Sequence, residues 1–348
     1  MKTLQDYAGA AQRIKELQRA DGSITWVDAG VFDPWNHTES AMALTVAGEY
    51  DAALKAYRRL AETQNKDGSW WADYGNAAPL DGENEKMMDA DKPKVRDTNY
   101  SAYIATGAWH YFVSTQDKGF LKDYMPVVDR AMAFVLAHQS EHGDIRWAAV
   151  DPHTPEDDAL LTGCSSIYKS LECAIRLFDA GGAARQDWAA ARASLGDALR
   201  NRPDRFDRNW ASKQKYSMDW YYPALSGALS KEASIERLKQ RWDEFVVEGI
   251  GCRCVAEEPW ATVAEACELA MALLKHGDRT RAEALFEAQH RCRDEVGAYW
   301  MGYQFAEKVF WPGDKPSWTA AAVLLAGDAL YDWTPASKIF TGPALAEA

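Results

Sequence analysis

Four stretches of the chain close a helix-like run with glutamine, turn through a polar segment and glycine, and return with tryptophan. They run Gln18 to Trp26 through Gly22, Gln64 to Trp70 through Gly68, Gln139 to Trp147 through Gly143 and, more loosely, Gln289 to Trp300 through Gly297. A recurring helix ending implies a recurring structural unit. Glycine supplies the left-handed backbone that stops a helix, the neighbouring polar residue tightens the turn, and tryptophan can fold back over the joint.

Apolar residues recur at spacings of three and four along nearly the whole chain, with little alternation of period two. Segments 4–18, 51–64, 120–139, 186–200, 234–248 and 278–292 are amphipathic and charged, as surface helices are. Segments 38–48, 98–113, 163–179, 217–230, 260–275 and 317–331 are apolar nearly all round, which suits helices covered on both sides. The two kinds alternate. This order predicts an all-α (α/α)6 barrel over residues 1–334, a single domain of six hairpins, with 335–348 as a short tail. Turns from inner to outer helices are short, whereas those from outer to inner are long, so a functional site is expected on the long-loop rim. Segment 79–97 is the expected lid.

Composition removes several classes of function. A net charge of −13 argues against nucleic acid, whose binders carry basic patches. No run approaches the roughly 20 apolar residues that span a bilayer. The start Met1-Lys2-Thr3-Leu4-Gln5-Asp6 lacks a secretory apolar core. The expectation is a soluble cytoplasmic protein without stable membrane insertion; oligomeric state is not indicated. Six cysteines form no disulfide framework, and Cys252-Arg253-Cys254 lacks zinc-ligand spacing, so neither metal nor cofactor is expected. Fifteen Trp and fifteen Tyr point to a ligand with apolar faces, a sugar or a terpenoid.

Two families share these features. The glutamine–glycine–tryptophan endings resemble the repeat of the terpenoid cyclase and protein prenyltransferase superfamily. The stretches Phe120 to Ala131, Gly143 to Trp147, Leu161 to Tyr168 and Lys315 to Ala321 resemble segments of the six-hairpin, glucoamylase-like glycosidases. Both resemblances imply the same toroid, so the fold cannot choose between them.

Glycoside hydrolysis needs two carboxyl groups about the bond, held roughly 6.5–9.5 Å apart in the inverting route so that water fits between. Glu257-Glu258-Pro259-Trp260, at the predicted entrance of the fifth inner helix, supplies the candidate acid, Glu258 or Glu257. The resemblance to glucoamylase-like enzymes also places an acid near this hairpin. The candidate bases are Glu307 and Asp314, in the final long loop among aromatic residues; each can equally be a solvated charge paired with a lysine. Sugar positioning is assigned to Trp35, His37, Glu39, Arg96, Asp97, Asn99, Tyr216, Trp260, Trp311 and Trp318. Capping of helix starts by Thr38 and Asp97 is the simpler alternative. The terpenoid reading fares less well: Asp89-Ala90-Asp91-Lys92 puts Lys where a class II cyclase has its last Asp. The function expected is metal-independent, inverting hydrolysis of a small-molecule glycoside or oligosaccharide. An isoprenoid-handling enzyme and a non-catalytic binding toroid are the alternatives.

Overall fold

The computed structural model describes residues 2–28, 30–74, 95–151 and 154–347. Outer and inner helices alternate along the chain. The hairpins are α1 (Ala8–Leu17) with α2 (Pro34–Val46), α3 (Tyr50–Thr63) with α4 (Thr98–Thr115), and α5 (Lys118–Ala137) with α6 (Leu161–Ala180). They continue with α7 (Gln186–Asn201) and α8 (Ser217–Ser226), then α9 (Lys231–Gln240), the one-turn α10 (Trp242–Phe245) and α11 (Val263–Lys275). The last pair is α12 (Arg279–Ala288) and α13 (Ser317–Tyr331). Each inner helix packs on the next, in the order α2, α4, α6, α8, α11, α13, and α13 returns to α2. The ring is closed, as the alternating pattern predicts.

Burial follows that alternation. Outer α3 buries Ala53, Ala56, Tyr57 and Leu60 along one stripe, whereas inner α13 is buried at almost every position. The repeated turns act as rivets between neighbouring outer helices. The side-chain amide of Gln64 donates to its own turn at Gly68 O (3.0 Å) and to Val127 O of α5 (3.0 Å). Gln18 joins Gly22 O to Ala52 O of α3, and Gln139 joins Gly143 O to Ala191 O of α7, in the same manner. At Gly68 two demands coincide: φ is +92°, and a Cβ would lie 2.0 Å from the Arg130 carbonyl oxygen of α5. Glycine is required there both for conformation and for close approach. In the looser fourth copy, Gln289 reaches Ile250 O and Leu285 O instead of its own turn.

The long loops carry two small antiparallel sheets absent from the sequence reading. The first joins β1 (Arg96–Asp97), β2 (Ala148–Asp151) and β3 (Thr154–Pro155). The second joins β4 (Val246–Val247), β5 (Gly251–Arg253), β6 (Trp260–Thr262), β7 (Gly302–Gln304) and β8 (Val309–Phe310). Two boundaries move as a result. Segment 234–248 is not one helix, because β-branched Val246 and Val247 pair with β5. Segment 260–275 opens as strand β6 and turns helical only at Val263. These sheets fix the loops above the starts of the inner helices, which form the open mouth.

The opposite rim is partly covered by the C-terminal tail, beside a cavity of about 370 Å³ that Lys169, Glu172 and Arg176 help to line. The tail after α13 crosses the rim, with Lys275 Nζ donating to Phe340 O (2.9 Å) and Gly342 O (3.2 Å), and Arg192 Nη1 donating to Leu345 O (3.0 Å). Beneath it the buried Glu172 carboxylate meets Lys169 (3.1 Å), Arg176 (3.1 Å) and Arg192 (3.3 Å). Among the described residues no helix is long and apolar enough to cross a membrane. The expected lid, 79–97, and Asp89-Ala90-Asp91-Lys92 fall largely or wholly outside the described residues; only the end of the former, from Val95, lies within them.

Candidate active site

A cavity of about 360 Å³ opens at the mouth, within the range of small-molecule sites. Among the described residues four carboxylates line it: Glu39 of α2, Asp97 at the start of α4, and Glu265 and Glu268 of α11. Asp97 is the N-cap of α4, accepting from Tyr100 N at 3.0 Å. Glu265 lies in the first turn of α11, where a negative side chain is favoured, and accepts from the Thr262 hydroxyl. Helices α4 and α11 stand three places apart in the ring of six, so these two carboxylates enter the cavity from opposite walls.

Glu39 and Glu268 are buried, each held by a tyrosine. Tyr103 Oη donates to Glu39 Oε1 at 2.9 Å, and the Tyr221 hydroxyl donates to Glu268. Burial raises the Glu39 pKa to about 7, and the negative field of Asp33 adds to it. Burial, followed by repulsion from Glu39, holds Glu268 well above the ordinary carboxylate range. Asp97 is pushed up to about 7 by burial, against the amide hydrogen bonds that favour its ionised form. Among the described residues no lysine or arginine contributes to these three shifts. Protons held near neutrality in a concave site are what acid catalysis requires.

Aromatic and apolar residues complete the walls. Trp35 stacks on Tyr103 with ring centroids 3.9 Å apart, Trp318 meets Trp26 edge-on, and Trp147 faces the cavity from the loop before α6. Ile145, Leu160, Cys164 and Ile167 form a continuous apolar side.

Of the residues singled out from sequence, Trp35, Glu39, Asp97, Asn99 and Trp318 line this cavity. His37 does not: it is fully buried, its Nδ1 accepting from Ile24 N (3.1 Å) and its Nε2 meeting Ala56 O (3.0 Å). Burial lowers its pKa to about 4, so it ties the first hairpin as a neutral ring. Arg96 is buried against Asp67 (2.5 Å) and over Trp71, outside the cavity lining. Glu257 and Glu258 are exposed in the turn between β5 and β6 and do not line the cavity. The physical reason is the hairpin, which extends residues 254–259 outward before α11 begins. Glu307 is exposed between β7 and β8, and Asp314 lies in the following loop, where its carbonyl accepts from Met301 N. Trp260 is partly buried and donates through Nε1 to Trp311 O (2.8 Å); Trp311 and Tyr216 are exposed on the rim.

Glu265 and Glu268 are not among the residues singled out from sequence. The signal was present, two carboxylates one turn apart in the otherwise apolar run Val263-Ala264-Glu265-Ala266-Cys267-Glu268-Leu269-Ala270. A helix buried on both sides leaves such residues no solvent to face, only a cavity. Among the described residues no group of three or more His, Cys, Asp or Glu gathers as a metal site.

Comparison with known proteins supplies the family. No protein-family model matches the chain. The fold is shared with a glycosidase in complex with glucose (TM-score 0.64, 12% identity, covering 94% of this chain and 96% of that one). It is also shared with a GH63 mannosylglycerate hydrolase from Thermus thermophilus (TM-score 0.65, 10% identity, 92% and 99% covered). A D-mannose isomerase has it too (TM-score 0.68, 13% identity, 93% and 95% covered), so these likenesses establish architecture alone. Sequence goes further: an MMP endo-(1,4)-3-O-methyl-α-D-mannosidase from Mycolicibacterium hassiacum is 43% identical over 332 residues, 95% of this chain and 88% of that protein. With that relationship and the carboxylate-lined mouth together, the chain belongs to the family of the M. hassiacum enzyme and is a glycoside hydrolase built on the six-hairpin (α/α)6 barrel.

Proposed function

We propose that this protein cleaves internal α-1,4 bonds in a chain of 3-O-methylated mannose units, by the inverting route, with Asp97 as acid and Glu265 as base. The observation that carries the assignment is the entry of these two carboxylates into one cavity from helices on opposite sides of the ring. A pKa near 7 lets Asp97 hold a proton and deliver it to the departing glycosidic oxygen. Glu265 takes a proton from the water that attacks the anomeric carbon on the other face. The bond to the leaving oxygen breaks as the bond to water forms, and the configuration inverts. The protons then redistribute through solvent, restoring Asp97 to its acid form.

Glu39 and Glu268, protonated near neutrality, can donate to and accept from sugar hydroxyls, while Trp35 and Trp318 offer apolar faces. The apolar side chains of Ile145, Leu160, Cys164 and Ile167 on the cavity wall suit the methyl of a methyl ether. Four carboxylates around the cavity also make a poor lining for a bare hydrocarbon, which disfavours an isoprenoid ligand.

Proton NMR of a digest of 1,4-linked 3-O-methyl-α-mannan tests each part. Internal cleavage with a β-anomer as the first product is expected. An α-anomer first would remove the inverting assignment. Cleavage confined to unmethylated glycosides would remove the substrate assignment.

A further inference from the structure

We propose that aromatic side chains bordering the mouth form an outlying track for the saccharide beyond the cavity, an inference that rests on the substrate reading above. The track starts inside. Trp147 lines the cavity and meets Trp210 edge-on, centroids 5.4 Å apart. Trp210 is 44% exposed, and Tyr216 follows on the same loop at 37%. That loop is sewn to the β5–β6 turn by Ser217 N to Cys254 O (3.0 Å) and Ala256 N to Lys215 O (2.9 Å). Strand β6 carries Trp260, whose ring meets Trp311 edge-on at 4.8 Å, with Trp311 49% exposed. Next to it Phe310, 41% exposed, lies parallel to Trp300 at 5.8 Å.

Single exposed aromatics need no explanation, but several on the loops that border one cavity do. These rings are fixed by neighbouring rings and backbone, so a face can be offered without further ordering cost. Charges are interspersed among them: Lys213 lies over Trp210, Lys215 over Tyr216, and Glu257, Glu258 and Lys308 are exposed nearby. A protein partner would favour a core depleted of charge. A sugar, with C–H faces between rings of hydroxyls, fits both the aromatic surfaces and the charges. An enzyme that cuts within a chain must also hold units beyond the cavity, and the track is continuous with it through Trp147.

The test compares the wild-type protein with a Trp210→Ala, Phe310→Ala double variant and with the Trp210→Tyr, Phe310→Tyr pair, which keeps ring faces. Each is assayed on a tetrasaccharide and on a long oligosaccharide of 1,4-linked 3-O-methyl-α-mannose. The ratio of kcat/KM for long over short substrate is expected to fall about tenfold in the alanine variant, through KM, and to recover in the tyrosine variant. An unchanged ratio overturns the track. Should the wild type cleave neither substrate, the substrate reading fails separately, and titration with the long oligosaccharide decides the track. Weaker binding by the alanine variant than by wild type then sustains it; equal binding, or none, overturns it.

Discussion

The two ends of the barrel treat buried carboxylates in opposite ways. At the end covered by the tail, burial pushes the Glu172 pKa up, but Lys169, Arg192 and Arg176 outweigh it and hold the group below its ordinary value. At the open mouth, Glu39, Glu268 and Asp97 are raised by burial with no such cations among the described residues. One end spends its charge on structure and neutralises it locally. The other leaves protons in place above an accessible cavity, a condition that costs stability and is retained where chemistry uses it.

The largest test of this contrast is chemical. Glu265→Gln and Asp97→Asn are expected to lower kcat by about 10²–10⁴-fold, while Glu172→Gln leaves it near the wild-type value, as steady-state kinetics would show. Full activity in either mouth variant would break the comparison. Next comes stability. Truncating Glu172→Ala strands two buried cations, Lys169 and Arg192, beside the half-buried Arg176, and is expected to cost about 3–5 kcal/mol in urea unfolding.

The pH dependence should differ in sign at the two ends. Glu39 binds its proton more tightly folded than unfolded, so its contribution to stability falls as pH rises from the ordinary carboxylate range to about 7. The slope is about 1 kcal/mol per pH unit, and Glu39→Gln should flatten it. Glu172 behaves oppositely: its contribution is present above the ordinary range and is lost as pH falls through its depressed folded pKa. Activity should decline as pH rises through about 7, where Asp97 loses its proton. The smallest effect concerns the wall. Trp147→Ala should raise KM about 3–10-fold with little change in kcat, the scale of one aromatic contact.

Much of the architecture was legible because its causes are local. The Gln64–Gly68–Trp70 stretch marks a helix end, but the glycine is not what stops the helix: α3 ends at the extended Gln64, and left-handed Gly68 closes the turn that follows, with the glutamine amide bonded to its carbonyl. The small sheets were not legible. Val246 pairs with Cys252, and Trp260 with Gln304, in strands too short to show alternation. The same limit applies to which carboxylates face the cavity. Glu258 stands at the predicted entrance of the fifth inner helix, yet the β5–β6 turn leaves it exposed, whereas Glu265 reaches the cavity from the first turn of α11.

What the chain determines by itself is the succession of amphipathic and apolar helices with their riveted turns, because helical periodicity and turn chemistry are written within about a dozen neighbouring residues. Only the tertiary structure decides which acids keep their protons. The pKa of a carboxylate depends on burial and on charges within a few ångströms, and closing the ring brings Glu39 and Glu268, from helices far apart in sequence, into one another's field.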